Sequence, residues 1–212
     1  MRFVLASASP ARLAVLRAAG VEPSVMVSGV DEDAVMATLT GAKPSAVVTA
    51  LASAKARAVA ETLGLDAVVV GCDSMLWIEG ELLGKPATPE AARKRWATMA
   101  GGSGELLTGH AVLRLEAGEI TAESAGTQST KVRFATPAED ELDAYVASGE
   151  PLAVAGAFTI DGRGGWFVDG IEGDHTSVIG ISLPLTRRLL ADIGVSVADL
   201  WRGSADTEGE SR

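Results

Sequence analysis

The chain of 212 residues contains one cysteine, Cys72, and two histidines, His110 and His175. A lone cysteine excludes an intramolecular disulfide, and so few Cys and His residues exclude a zinc centre of ordinary ligand spacing. Any metal held by this protein must therefore meet oxygen ligands. Basic residues are also in short supply: 18 Lys and Arg face 28 Asp and Glu, for a formal net charge of -10. That balance argues against sequence-independent binding of duplex nucleic acid, because backbone affinity comes from clustered cations. It leaves room for a small anionic ligand, which responds to a few converging donors. No apolar run approaches the roughly 18 residues of a membrane span. The opening Met1-Arg2-Phe3-Val4-Leu5-Ala6 is too brief for the apolar region of a signal peptide, so a cytoplasmic setting away from membranes is expected. Aromatic residues make up only 4% of a chain that is 47% hydrophobic, which points to a core packed with Ala, Val and Leu.

What is present alternates between strand-like and helix-like segments. Phe3 to Ala6 is a compact apolar strand, and Ser9-Pro10 starts a helix that stops at Gly20, a capping hydroxyl followed by proline at the first helical position. Pro44 to Leu63 has apolar residues at spacings of three and four, with Gly64 expected to close the helix. Ala67 to Val70 is a near-continuous apolar run that ends at Gly71, as in a strand covered on both faces. Met75 to Ile78 and Leu82-Leu83 pattern as a hairpin around Glu79-Gly80-Glu81. Thr88-Pro89 starts a helix to about Met99, and Thr136-Pro137-Ala138-Glu139 has the spacing of a capping box that opens another to Ala147. Leu106 to Leu115 and Ile120 to Phe134 supply further strands, while Gly101-Gly102-Ser103-Gly104 has the composition of a mobile turn or lid hinge. Ala153 to Gly180 is glycine-rich with short β-like pieces, and Leu183 to Ile193 is a last helix between Ser182 and Gly194. The pattern predicts one α/β domain over residues 1–202, with room for two lobes around a cleft, and a tail at 203–212 that lacks apolar anchors.

Four charges sit where folding alone would not choose them. Arg12 falls in the first turn of a helix, where the dipole disfavours a cation by about 0.3 to 1 kcal/mol. With Ser7 and Ser9 it makes a site suited to phosphate oxygens, or else it is a surface arginine beside a serine cap. Lys55 lies within about 40° of Val48, Leu51 and Val59 on the helical wheel, so it either snorkels to water or aims its ammonium at an anion in a cleft. Asp73 follows Val68-Val69-Val70-Gly71 and is expected just past the end of a central strand, where open α/β sheets bind ligands. Lys85 stands in Gly84-Lys85-Pro86, which is not a phosphate-binding P-loop, because Glu79 and Pro86 occupy places that need Gly and Ser or Thr. Asp31, Glu32 and Asp33 form an acidic group that is either a plain acidic turn or, with Asp73, a partial site for a hard divalent cation.

The order of these segments resembles the Maf family of nucleotide pyrophosphatases from Phe3 to about Leu190. The resemblance is carried by Leu5-Ala6-Ser7-Ala8-Ser9-Pro10-Ala11-Arg12, Val30-Asp31-Glu32, Ala54-Lys55-Ala56, Gly71-Cys72-Asp73-Ser74, Leu83-Gly84-Lys85-Pro86, Tyr145 to Pro151 and Ala155 to Ile160. It implies an elongated α/β fold with a central mixed sheet flanked by helices, related to inosine triphosphatase-like enzymes and frequently a homodimer. It also implies hydrolysis of a nucleoside triphosphate to monophosphate and pyrophosphate with Mg²⁺ or Mn²⁺. By position, Asp73 resembles the catalytic carboxylate, Lys55 and Lys85 the site lysines, and Asp31 with Asp73 the metal ligands. Ser7, Ser9 and Arg12 resemble the phosphate contacts, and Asp161 a further substrate contact. Gly180-Ile181-Ser182-Leu183-Pro184 is two residues longer than the family's Gly-Leu-Pro, and two substitutions also bear on substrate range: Ala11 stands where a second arginine is common, and Asp161 where a glutamine often stands, replacing an amide by a group that only accepts. They keep open a rival reading, a regulatory nucleotide-binding protein linked to cell division or septum formation with little catalysis.

Overall fold

The computed structural model describes residues 1–202, so the tail expected at 203–212 lies outside the described residues. In chain order the elements are β1 (Arg2–Leu5), α1 (Pro10–Ala18), β2 (Ser24–Val25), α2 (Glu32–Ala37), α3 (Pro44–Ala60), β3 (Ala67–Ile78), β4 (Glu81–Leu83), α4 (Pro89–Met99), β5 (Ser103–Glu116), β6 (Glu119–Phe134) and α5 (Glu139–Ala147). Three short 3-10 turns follow, Glu150–Ala153, Ala155–Ala157 and Arg163–Phe167, and then β7 (Val168–Glu172), α6 (His175–Ile179) and α7 (Leu183–Asp192).

The strands form one mixed sheet in the order β2-β1-β3-β5-β6-β7, with β4 paired to β3. β3 is the strand that builds the cleft. On one edge it pairs in parallel with β1 over Ala67 to Val70 and in antiparallel with β4 over Leu76 to Ile78. Its other edge pairs with β5 along nearly its whole length, from Ala67↔Leu115 to Trp77↔Glu105. Residues 71–75 therefore have a strand neighbour on one side only, and a gap in the sheet opens beside Asp73.

Period-two alternation sorts the core. Phe3, Leu5, Val68, Val70, Cys72 and Val112 face Leu16 of α1 and Leu185, Leu189 and Leu190 of α7. Val4, Ala6, Ala67, Val69, Ala111 and Leu113 face Ala52, Ala56 and Val59 of α3. On that second face two glycines let the helix descend onto the strands: a Cβ at Gly71 would collide with the Ala52 carbonyl, and one at Gly109 with the Val48 carbonyl. Farther along the sheet the packing is aromatic. Trp96 of α4 meets Phe134, Tyr145 and Phe167 edge-on at centroid distances of 5.9, 6.2 and 5.7 Å, and its indole N–H donates to the Ala157 carbonyl at 2.8 Å.

Several local expectations change. The apolar run at Ala67–Val70 and the hairpin strand at Met75 belong to one continuous β3, because β5 supplies partners through the polar interruption. α3 ends at Ala60 with Glu61 as its right-handed C-cap, so Gly64 is not the capping residue. α5 begins after Ala138, whose N–H donates to Glu141 Oε2 at 2.8 Å, and Thr136 does not cap it. Gly101 and Gly102 form the turn expected, with Gly101 at φ +70, whereas Ser103 and Gly104 already belong to β5, with no room for a Cβ at Gly104 against Leu76.

Candidate active site

The gap beside β3 opens into a cleft of about 700 Å³, the size of a small-ligand site. Strand alternation aims neighbouring residues of β3 at different helices. Asp73 shares a face with Val69 and Gly71 and points to α3, where Lys55 Nζ lies 2.6 Å from its Oδ1. The same ammonium is 2.7 Å from Glu32 Oε1 on α2. Lys55 and Asp73 side chains are 12% and 8% exposed, so the pair is withdrawn from bulk water while Glu32 stands at the mouth. Lys55 therefore does not snorkel: its position on the apolar stripe of α3 carries it down to the sheet because Gly71 and Gly109 admit the helix.

Ser74 points the other way, to α1. Its Oγ accepts from Arg12 Nη2 at 3.2 Å and lies 3.0 Å from Thr108 Oγ1. Arg12 is held by two further bonds, Nη1 to Ser7 Oγ at 3.0 Å and Nε to the Gly180 carbonyl at 2.7 Å. The unfavourable cation in the first turn of α1 is thus compensated in part by a carbonyl at the end of α6. Ser9 caps α1, its Oγ accepting from the Arg12 N–H at 3.4 Å. Ser7, Ser9 and Arg12 all line the cleft.

Lys85 lines the same cleft. Its backbone is secured by Arg95 of α4, which donates to the Gly84 carbonyl and, at 3.4 Å, to the Lys85 carbonyl. Asp161 is exposed on the same side, in a loop fixed by Glu150, whose Oε1 accepts from Thr159 Oγ1 at 2.6 Å and from the Gly164 N–H at 3.1 Å. The remaining wall is apolar and includes Leu106, Val154, Phe158 and Val178.

Asp31 is the residue that the structure turns away from this assembly. It is the N-cap of α2 and its Oδ1 accepts from the Ala34 N–H at 3.0 Å. The helix start at Glu32 leaves the next side chain, not Asp31, to reach Lys55. Asp73 likewise sits in the middle of β3 and not beyond its end. Ser74 and Thr108 were not singled out from sequence, although alternation along β3 and β5 places both on the α1 side. Among the described residues no group of three or more His, Cys, Asp or Glu side chains is arranged to hold a metal ion.

Burial pushes the Asp73 carboxyl above the usual carboxylate range, more than Lys55 and Arg12 pull it back, which raises its affinity for a proton. Cys72, adjacent in sequence, is buried on the other face with its thiol pushed up to about 11, and is no nucleophile at neutral pH. The arrangement offers one proton-accepting carboxylate, a second carboxylate sharing its cation, and Arg12 and Lys85 among the lining residues. It suits chemistry on a polyanion.

An α/β sheet opened beside a carboxylate that is ringed by cations defines a class of phosphate-handling protein, and comparison with known sequences narrows it. Residues 2–193 match the family model described as Maf-like protein. The chain belongs to the Maf family. It is 63% identical over 205 residues to the nucleoside triphosphate pyrophosphatase of Saccharopolyspora erythraea, covering 95% of this chain and 97% of that protein. It is 65% identical over 207 residues to the protein of the same description from Nocardia farcinica, covering 96% and 98%. No helix among the described residues is long and apolar enough to cross a membrane.

Proposed function

We propose that this protein is a nucleoside triphosphate pyrophosphatase, cleaving its substrate to nucleoside monophosphate and pyrophosphate. The observation that carries the reading is the bridging of Asp73 and Glu32 by one buried ammonium, Lys55 Nζ, in a cleft that Arg12 and Lys85 flank. The names of the relatives support it. The apolar wall suits the nucleoside, and the charged end suits the triphosphate. Asp161, which only accepts hydrogen bonds, favours a nucleoside edge that donates them.

Asp73 accepts the proton of a water as that water attacks the α phosphorus. The bond from that phosphorus to the bridging oxygen breaks, and pyrophosphate leaves with the bonding electrons. Arg12 and Lys85 offset charge on the phosphate oxygens, and positioning and electrostatics supply most of the rate. Asp73 and Glu32 would hold Mg²⁺ or Mn²⁺ through the carboxylate oxygens that Lys55 does not engage, with substrate phosphates completing an all-oxygen shell. Bound there, the ion would neutralise charge on the triphosphate. The reading carries with it a cytoplasmic location and the family's frequent homodimer. No feature of the site favours the binding-only alternative raised by Ala11 and Asp161.

The test is a panel of common and modified nucleoside triphosphates with Mg²⁺ or Mn²⁺, following pyrophosphate and monophosphate together. Equal release of both is expected; orthophosphate release, or binding without turnover, would overturn the reading. In the same assay Asp73→Asn is expected to lower kcat by about 10² to 10⁴, roughly 3 to 5 kcal/mol of barrier, with an unchanged circular dichroism spectrum.

A further inference from the structure

His110 lies on β5 with no exposed surface, in a core otherwise built from Phe3, Val68, Val112 and the apolar residues of α7. Burying an imidazole there costs free energy unless its nitrogens are bonded, and both are. Nε2 accepts from the Ser182 N–H at 2.8 Å, which requires the tautomer protonated at Nδ1, and Nδ1–H donates to the Thr108 carbonyl at 3.0 Å. Burial pushes the ring down to about 4, so it is neutral at physiological pH. His110 does not line the cleft, and its two hydrogen bonds go to Thr108 and Ser182.

Its contacts lead to Arg12 by two routes. The Ser182 N–H that it holds lies two residues beyond Gly180, whose carbonyl accepts from Arg12 Nε at 2.7 Å. Gly180 has φ +132, and a Cβ there would lie 3.0 Å from Arg12 Nε, so this turn and the guanidinium are in close contact. The second route runs through Thr108, on the same face of β5 two residues earlier. Its Oγ1 donates to the Ser177 carbonyl at 2.9 Å and lies 3.0 Å from Ser74 Oγ, which accepts from Arg12 Nη2. The helix cap of α7 does not need His110, because Ser182 Oγ itself accepts from the Leu185 N–H at 3.1 Å.

We propose that His110 is a positioning residue: with Thr108 it pins the turn from α6 to α7 onto β5, and that turn sets the Arg12 guanidinium against the phosphate end of the cleft. The proposal rests on the pyrophosphatase reading for its kinetic readout. His110→Val removes the acceptor, leaves the Ser182 N–H without a partner, and is expected to raise KM for the triphosphate about tenfold, a differential of roughly one hydrogen bond, with a smaller change in kcat. His110→Gln, whose amide oxygen reaches the place of Nε2, is expected to restore KM. A residue acting through Arg12 has nothing left to act on once Arg12 is gone, so His110→Val in an Arg12→Ala background is expected to change KM no further.

Independent, multiplying effects of the two substitutions would overturn the proposal, as would failure of His110→Gln to restore KM or wild-type kinetics in a folded His110→Val protein. If His110→Val does not fold, Thr108→Val cuts the second route with little change in shape, and its effect must likewise vanish in the Arg12→Ala background. The same cycle is measured in parallel by calorimetric Kd for a non-hydrolysable triphosphate. A chain that binds this analogue without cleaving its parent counts against the reaction and leaves the His110 cycle readable; a chain that does neither overturns both.

Discussion

The two ends of the sheet are packed with different materials. Around β1 and the first third of β3 the core is aliphatic and small, with Ala52 and Ala56 of α3 over Ala67 and Ala111 of the sheet and bare glycines at 71 and 109. Around the last third of β3, Trp96, Phe134, Tyr145, Phe158 and Phe167 interlock edge to face. Small residues allow backbones to approach, and the close end delivers Lys55 to Asp73. Large residues hold elements apart, and the aromatic end supplies the apolar wall and the Lys85 and Asp161 rim. A composition poor in aromatics suggests aliphatic packing throughout, which fails at the far end, where five of the few rings pack together.

If the aromatic end is chiefly scaffold, its damage should appear in stability before chemistry. Trp96→Ala is expected to cost about 3 to 5 kcal/mol in denaturant titrations, while kcat, measured where the variant remains folded, falls far less than in Asp73→Asn. A variant of normal stability with lost turnover would erase the distinction between the two ends.

At the close end the charges themselves are the vulnerable feature. Lys55→Met leaves Asp73 without its partner and is expected to lower stability by about 3 kcal/mol, together with activity. Adding Asp73→Asn removes the uncompensated charge, so melting of the double variant should recover while turnover stays lost. Recovery of turnover would place the chemistry elsewhere.

The most gradual effect concerns acid. His110 has its ordinary value at 6.5 when unfolded and is pushed down to about 4 by burial, with Arg12 acting in the same direction and Asp174 and the Thr108 carbonyl opposing. The unfolded chain therefore takes up a proton that the folded chain refuses. The resulting stability is complete above about 6.5 and drains away as pH falls toward 4, by about 1.4 kcal/mol per pH unit inside that window. Asp73, raised by burial, works the other way at the lower edge. The comparison is thus between the wild-type chain and His110→Gln, whose melting temperature should fall less steeply over this range.

Long periodic segments were legible from the sequence: Ser9, Thr88 and Ser182 cap α1, α4 and α7 as their hydroxyls suggest, and the misplaced charges at 12, 55, 73 and 85 share one cleft. Short elements were not. α2 has six residues and buries none of them, so no apolar stripe announces it, and the helix start that turns Asp31 aside and brings Glu32 to Lys55 left no periodic trace. β3 was divided because Gly71 and the polar Asp73 and Ser74 interrupt its apolar run; what keeps them in a strand is β5, which pairs them with Ala111, Gly109 and Thr108. The roles of Thr108 and His110 depend on which helix covers their face, information that lies in tertiary structure.

The aperture beside residues 71–75 exists because two neighbouring strands stop short, so its span is counted in residues of pairing and not in the length of any loop. Lengthening the β3–β4 turn at Glu79-Gly80 would leave the mouth as wide as it is, whereas a few more rungs between β1 and β3 would seal it. The width of such a frame is set by strand pairing, and the selection of what enters falls to the side chains mounted on it.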